Sequence, residues 1–459
     1  MKIHILYQIK HMILVTLDIW RFIEMNKITL LAATLLLLLI YACSDDMDTT
    51  VAHSNDSILS DATRALTIID DRTNEYDESR YSEPLTAEEN AIGDALSDFA
   101  FRFMKHVAAN ADSNVCVSPY SIDILLSMLA AGAAGNTQEE ICNAMGLSSA
   151  DASALHLYNK KLALLLCEQD TSLAMNIANA AWMQYTMPVY RSYQDFITHI
   201  YDGIVKGIDF NDQQAGQTIN NWCTKQTNGL INQIVEDGPL TPVQLIMANA
   251  VYLNAPWTSG FSEHSTSTET FTQENGTTSM VPMMTQKSCF KKATGDLYDI
   301  LSMPIGTKAD MSMNIAMPHA GVSLNSCLES LNTKTWRSTL EGSENMNIEL
   351  KLPRFDMDAK MNLVSILRSL GIKSLFDVET ADLSAISPSH LFISMIEQDT
   401  KLNVKERGIE ATAVTFCYIL TAGEDEPYYH SFHADRPFFF TIEDNTTGAI
   451  LFMGAVRNL

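Results

Sequence analysis

An α+β fold in one large domain is what the sequence predicts, on three observations. Ile92, Ala95, Leu96, Phe99 and Phe103 recur at three-and-four spacing, the apolar stripe of a helix. Other stretches are rich in β-branched and aromatic residues and end in turn-forming clusters, the pattern of strands. The clearest is the uncharged run Ala411 to Ala422, followed by the acidic, turn-like Gly423 to Pro427. From Ala91 to Leu459 there is no second linker and no tandem repeat, so these elements belong to one body, although it exceeds the usual domain size.

The helices can be placed in order. The stripe at 92–103 comes first. Asn114 to Val117 is a short strand, and Ser118-Pro119 starts a second helix, with Ser118 as cap and Pro119 in the first turn. That helix carries Leu125 and Leu126 and ends near Gly132, Gly135 and Asn136. Thr137 and Glu140 have the spacing of a capping box opening a third helix.

Composition limits the function. The 459 residues carry a net charge of −25. That excludes nucleic acid as a partner, because phosphate binding needs clustered Lys and Arg, and it favours solubility. The cysteines are Cys43, Cys116, Cys142, Cys167, Cys223, Cys289, Cys327 and Cys417. No pair has CxxC spacing, so free, mostly buried thiols are expected rather than a zinc site. No nucleophile elbow, His-Glu-x-x-His or phosphate loop is present. His430 and His433 lack a third ligand at diagnostic spacing. The chain is therefore expected not to be an enzyme and to need no cofactor or metal.

The N-terminal part reads as an export signal. Met25-Asn26-Lys27 precedes an apolar run from Ile28 to Ala42, which ends at Cys43. Residues 1–24 carry no cleavage site and read as an upstream extension, with Met25 the start. A Cys at the cut resembles a bacterial lipoprotein box, which implies a lipidated Cys43. Ser44-Asp45-Asp46 looks like the acidic signal that moves some lipoproteins to the outer-membrane surface. An uncleaved anchor is the alternative, against which the run is short for a span. Residues 44–88 are rich in Asp, Glu, Ser and Thr and are expected to be a solvated tether before a domain at 89–459.

The stretch from Val404 to Arg436 narrows the reading. By itself the run 411–422 is an ordinary buried strand. Yet Glu406-Arg407-Gly408, Glu410-Ala411 and Ala413, then His433-Ala434-Asp435-Arg436-Pro437-Phe438-Phe439-Phe440 and Phe452-Met453-Gly454, resemble the C-terminal end of a serpin. Further blocks follow in family order: Ile177-Ala178-Asn179-Ala180, Thr218-Ile219-Asn220 with Trp222, Asn249 to Trp257, and Leu352-Pro353-Arg354-Phe355. Asn254-Ala255 stands where the family has Lys-Gly. The resemblance covers 91–459.

It implies a single domain with a central, mostly antiparallel five-stranded sheet, two further sheets, eight to nine helices and an exposed reactive-centre loop at about 406–433. It also implies a monomer that inhibits serine endopeptidases, and some cysteine endopeptidases, by a covalent suicide mechanism. The hinge would be Glu406, Gly408, Ile409, Glu410, Ala411, Thr412 and Ala413, with Ile409 where Thr or Ser is usual. The gap through which the loop enters would be closed by Ser118, Ser121, Asn249, Ser394 and Gln398. Gln398 stands where the family has a His that bonds the Asn matching Asn249.

The loop's own pattern suits entry as a strand. Alternate residues Ile409, Ala411, Ala413, Thr415, Cys417, Ile419 and Thr421 form an inward set with no charge and no Pro. Family spacing from Glu406 puts the scissile bond at Ala422-Gly423, with Leu420, Thr421 and Glu424 shaping specificity; cleavage after Thr421 or Leu420 is the nearest alternative. Small apolar Ala422 suits elastase-like or subtilisin-like enzymes. A non-inhibitory surface-binding lipoprotein of the same fold remains the second reading, motivated by Ile409 and Gln398.

Overall fold

The structure, a computed structural model, describes residues 62–71, 76, 78–109, 111–168, 170–409 and 428–459. Cys43, Cys417 and the loop residues Glu410 to Glu424 lie outside these.

Nine α-helices occur among the described residues: α1 (Ala87–Ala109), α2 (Pro119–Gly132), α3 (Gly135–Ala144), α4 (Ala152–Glu168), α5 (Arg191–Tyr201), α6 (Ala215–Gln226), α7 (Leu324–Ser330), α8 (Thr333–Glu341) and α9 (Val364–Ser369). The strands are β1 (Thr63–Arg64), β2 (Thr67–Ile69), β3 (Val115–Val117), β4 (Ala174–Gln184), β5 (Pro188–Tyr190), β6 (Ile204–Ile208), β7 (Leu245–Pro256), β8 (Thr266–Thr272) and β9 (Thr278–Thr294). They continue as β10 (Tyr298–Ile305), β11 (Met311–Pro318), β12 (Glu344–Pro353), β13 (Phe355–Asn362), β14 (Glu397–Lys405), β15 (Gly408–Ile409), β16 (His430–His433), β17 (Phe438–Asp444) and β18 (Ile450–Val456).

The first sheet runs β1-β6-β4-β7-β15-β14-β13 and is antiparallel except for the pair β4–β6. The five expected strands are present, and the two-residue pieces β1 and β15 add to them. The second sheet runs β16-β12-β9-β10-β11-β17-β18-β3, with β8 on β9; β2 and β5 form a small parallel pair. Helices and sheets enclose one apolar core in which Phe99, Phe103, Trp257, Phe438, Phe439 and Phe440 are fully buried.

The second helix starts as its sequence demands. The Ser118 side chain accepts from the Ser121 amide, and Pro119 occupies the first turn. The expected capping box at Thr137–Glu140 does not form. The third helix begins at Gly135 with no side-chain cap, so Thr137 lies inside it. Both side chains serve a tertiary contact instead: Glu140 Oε2 accepts from the Lys373 and Ser374 amides, each at 2.7 Å, and the Asp382 amide donates to Thr137 Oγ1 at 3.0 Å.

The expected tether is shorter than 44–88. Ala62 is fully buried, and its carbonyl accepts from the Asp209 amide at 2.8 Å. β1 extends the sheet along the edge of β6, where a Cβ on Gly207 would lie 2.3 Å from the Arg64 carbonyl oxygen. Asp71 then caps α5, accepting from the Ser192 amide at 3.1 Å, and Tyr76 stacks on His199 at the other end of that helix. Acidic, hydroxyl-rich composition suggested a solvated segment, but these polar groups are bonded to the domain.

Cys116, Cys142, Cys223 and Cys327 are buried free thiols, while Cys167 and Cys289 are free and exposed. Among the described residues no cluster of His, Cys, Asp and Glu is arranged to hold a metal, and no helix is long and apolar enough to cross a membrane.

One buried base makes stability pH-dependent. His156 on α4 is buried, with Nδ1 2.7 Å from the Tyr201 hydroxyl. Burial lowers its pKa to about 4 from an ordinary 6.5. The unfolded chain therefore binds this proton more readily than the native one. The contribution is complete above pH 6.5 and is lost as pH falls toward 4, reaching about 3 kcal/mol. Urea unfolding across that range should show the loss in the wild type and a shallower slope in His156→Phe.

Candidate functional site: the hinge and the sheet slot

β14 leads into the hinge, and the turn is held from three directions. Trp257 donates from Nε1 to the Lys405 carbonyl at 2.8 Å and from its amide to the Arg407 carbonyl at 3.0 Å. The Phe261 amide donates to the Glu406 carbonyl at 2.8 Å. The buried Glu406 carboxylate accepts from Thr266 Oγ1 at 2.8 Å and pairs with Arg354. Burial pushes this carboxyl up, but the Arg354 and Thr266 bonds outweigh it and hold it below the usual carboxylate range.

Past this turn the chain enters the sheet. Gly408 pairs with Pro256 on β7 and Lys405 on β14; Ile409 pairs with Ala255 and Val404. Both ladders are antiparallel, so β15 lies as a strand between β7 and β14. Gly408 has φ +152°, and a Cβ there would sit 2.1 Å from the Ala255 carbonyl oxygen, so only glycine fits. Ile409 is 1% exposed. The larger side chain at this position is accommodated against Ala255 and Val404, and the inward direction expected for it is the one observed.

Beyond Ile409, β7 and β14 share no ladder among the described residues. Between them lies a cavity of about 480 Å³, whose walls include Ser121, Leu125, Asn249, Ile396, Gln398 and Thr400. Asn249 Oδ1, Asp399 Oδ1 and Thr400 Oγ1 are buried along it without hydrogen-bond partners. Burial, and then the neighbouring Asp358 charge, push the Asp399 carboxyl up. Two facing strand edges with unmet polar groups form a slot for a further strand.

The side chains expected to close this slot are arranged differently. Gln398 does not reach Asn249. Its Nε2 donates to the Ser118 carbonyl at 2.8 Å, and its Oε1 accepts from the Ser118 amide at 3.2 Å. Ser118 Oγ donates to the Leu451 carbonyl, so β14 is tied to the start of α2 and to β18. Asn249 Nδ2 donates instead to Asn179 Oδ1 at 2.8 Å, and Asn179 Nδ2 to the Tyr201 carbonyl. An amide can donate and accept at once, and the Ser118 backbone offers both groups within reach. Ser121 and Ser394 line the cavity, and Ser121 meets this network only through its amide, which donates to Ser118 Oγ. Gln398→Ala should cost about 1–3 kcal/mol, because it leaves the buried Ser118 amide unpaired, while the Ser118 carbonyl keeps the Ile122 amide, and denaturant titration would register the loss.

Residues 94–459 match the family model described as Serpin (serine protease inhibitor). The chain belongs to the serpin family. It is 32% identical over 437 residues to a serpin-like protein of Thermococcus kodakarensis, covering 94% of this chain and 98% of that one. It is 30% identical to mouse glia-derived nexin over 367 residues, covering 77% and 90% respectively. Among solved structures, native protease nexin-1 with heparin aligns with a TM-score of 0.71 and 27% identity, covering 81% of this chain and all of that chain.

For this serpin, the residues around Glu406 were only partly foreseeable. Arg354 and Trp257 lie in recognised family blocks, but nothing in the sequence marked them as hinge contacts. Asn179 also lies in such a block, unmarked as the partner of Asn249, while Thr266 lies outside the blocks. Gln398 lies beside the slot and bonds the Ser118 backbone, where the family's His bonds the Asn matching Asn249.

Proposed function

We propose that this serpin is a suicide inhibitor of serine endopeptidases, with some cysteine endopeptidases as further targets. The observation that carries the reading is β15: the first loop residues are already hydrogen-bonded between β7 and β14, at the end of a slot that continues below them. Continuing both ladders in register sets Ala411 between Leu253 and Leu402, Ala413 between Val251 and Thr400, and Thr415 between Asn249 and Gln398. Small, uncharged residues thus meet the inward wall, and Thr415 carries a hydroxyl to the unpartnered Asn249 Oδ1.

In the reaction, the protease nucleophile attacks the Ala422 carbonyl carbon, forming the acyl bond, while Gly423 leaves as a free amine carrying the transferred proton. The released segment then enters the slot as a strand before water hydrolyses the acyl bond. Ala422 before the bond favours elastase-like and subtilisin-like enzymes, and Glu424 lies on the far side. The reading also includes a lipid anchor at Cys43 and an outer-membrane, surface-exposed location, supported by the 25–43 signal pattern.

The test is incubation with elastases, subtilisin, chymotrypsin and papain. An SDS-stable adduct and a released peptide beginning at Gly423 are expected. Cleavage at the loop by all these enzymes without adduct, and without a rise in thermal stability, would overturn inhibition in favour of a binding role.

A further inference from the structure

At the end of the first sheet opposite the hinge, three large apolar side chains face solvent: Val378 (54% exposed), Phe392 (44%) and Met395 (54%). Their segments adjoin. His390 Nε2 meets the Val378 carbonyl at 2.5 Å, and the Ile393 amide donates to the Leu375 carbonyl at 3.0 Å. Leu391, Ile393 and Ile396 of the same stretch are buried, so these residues fill the core and the exposed three add nothing to it. One exposed apolar side chain is ordinary, whereas three on adjoining segments mark a contact surface.

The N-terminal chain enters at the same end. Ala62 meets Asp209 just beyond the last residue of β6, and β2 pairs with β5. From β5 the contacts continue: the Tyr190 amide donates to the Ile386 carbonyl at 3.0 Å, and Ser387 Oγ to the Pro188 carbonyl at 2.6 Å. Only residues 44–61 separate Cys43 from this docked arm. Fully extended, they reach at most ~65 Å, whereas a domain of this size has a radius of gyration of ~21 Å. An anchor at Cys43 therefore holds this end of the domain within about one domain diameter of the lipid, at an effective concentration in the mM range.

We propose that Val378, Phe392 and Met395 form a bilayer-contacting surface that seats the protein with its hinge end pointing away from the membrane; this rests on the lipid-anchor reading above. Asp377 and Glu379 are exposed beside the patch, and Glu397 there pairs with Lys360 at 3.4 Å. The matching surface is accordingly a zwitterionic headgroup layer, since an anionic one would repel this rim. Seated so, the protein presents its loop to soluble proteases approaching from outside.

The experiment uses the full-length, membrane-purified chain in phosphatidylethanolamine vesicles carrying a trace of photoactivatable phospholipid. Vesicle association is scored by flotation and labelling by peptide mass spectrometry. Label should concentrate in peptides covering 377–396. Phe392→Asp combined with Met395→Glu should lower that labelling about tenfold while the protein still floats with unchanged thermal unfolding. Cys43→Ser should abolish flotation. Wild-type protein that floats but is labelled elsewhere, is labelled equally in the double variant, or crosslinks through this patch to another protein overturns the surface and leaves the anchor standing. Failure of the wild type to float overturns the anchor, and the surface with it.

Discussion

Ala411→Arg should abolish covalent trapping and turn the protein into a substrate. The ladder on β15 fixes the face on which this side chain arrives. Ile409 points at the buried Val404, so a residue two further on points at Leu402 and Leu253, which are 2% and 4% exposed. An arginine there must be desolvated among apolar neighbours, at a cost of several kcal/mol. A barrier raised by about 4 kcal/mol slows insertion ~10³-fold, enough for hydrolysis of the acyl bond to win. With an enzyme that forms an adduct with the wild type, the variant should yield only cleaved inhibitor and active protease. Thr412→Arg is the matched control, because its side chain lies on the opposite face and should be far less damaging. Equal adduct yields from Ala411→Arg and the wild type would mean that the loop does not enter in this register.

The contrast between these neighbouring positions shows what the sequence could reveal. Period-two patterning and family spacing lead to the expectation of the inward set, of which Ile409 alone is described, and it is buried. Gly408 was recognisable as a hinge residue, although the close approach of the Ala255 carbonyl that requires it needed coordinates. Gln398 was harder. An amide with two capacities can be satisfied by several partners, and the choice of the Ser118 backbone over Asn249 depends on where α2 begins relative to β14. The arm at 62–71 escaped for a related reason. Its Asp70 and Asp71 look like tether composition, but one pairs with Arg191 and the other caps α5, more than a hundred residues away. Local composition reports what a segment could bury of its own, and it is blind to a helix end waiting elsewhere for a cap.

Glu406→Lys should be the most damaging single change outside the slot. The Glu406 carboxylate is buried at the turn between β14 and β15, where it receives Thr266 and pairs with Arg354. A lysine would bring a second cation to Arg354 and leave the Thr266 hydroxyl without its acceptor. Arg354 is itself 42% exposed on its side chain and can be partly rescued by water, so the cost should fall at about 3 kcal/mol, the lower end of that for breaking a buried pair. Glu406→Gln keeps an acceptor for Thr266 and should lose about a third as much. The lysine variant should unfold at lower denaturant and expose the backbone amides of Arg407 to Ile409 to hydrogen exchange, since β15 would no longer be held between its neighbours. Adding Arg354→Glu restores an opposite pair with the charges exchanged, and should recover part of both losses. If the exchanged pair is no more stable than Glu406→Lys alone, the hinge is held by the Trp257 and Phe261 backbone bonds and the ion pair contributes little.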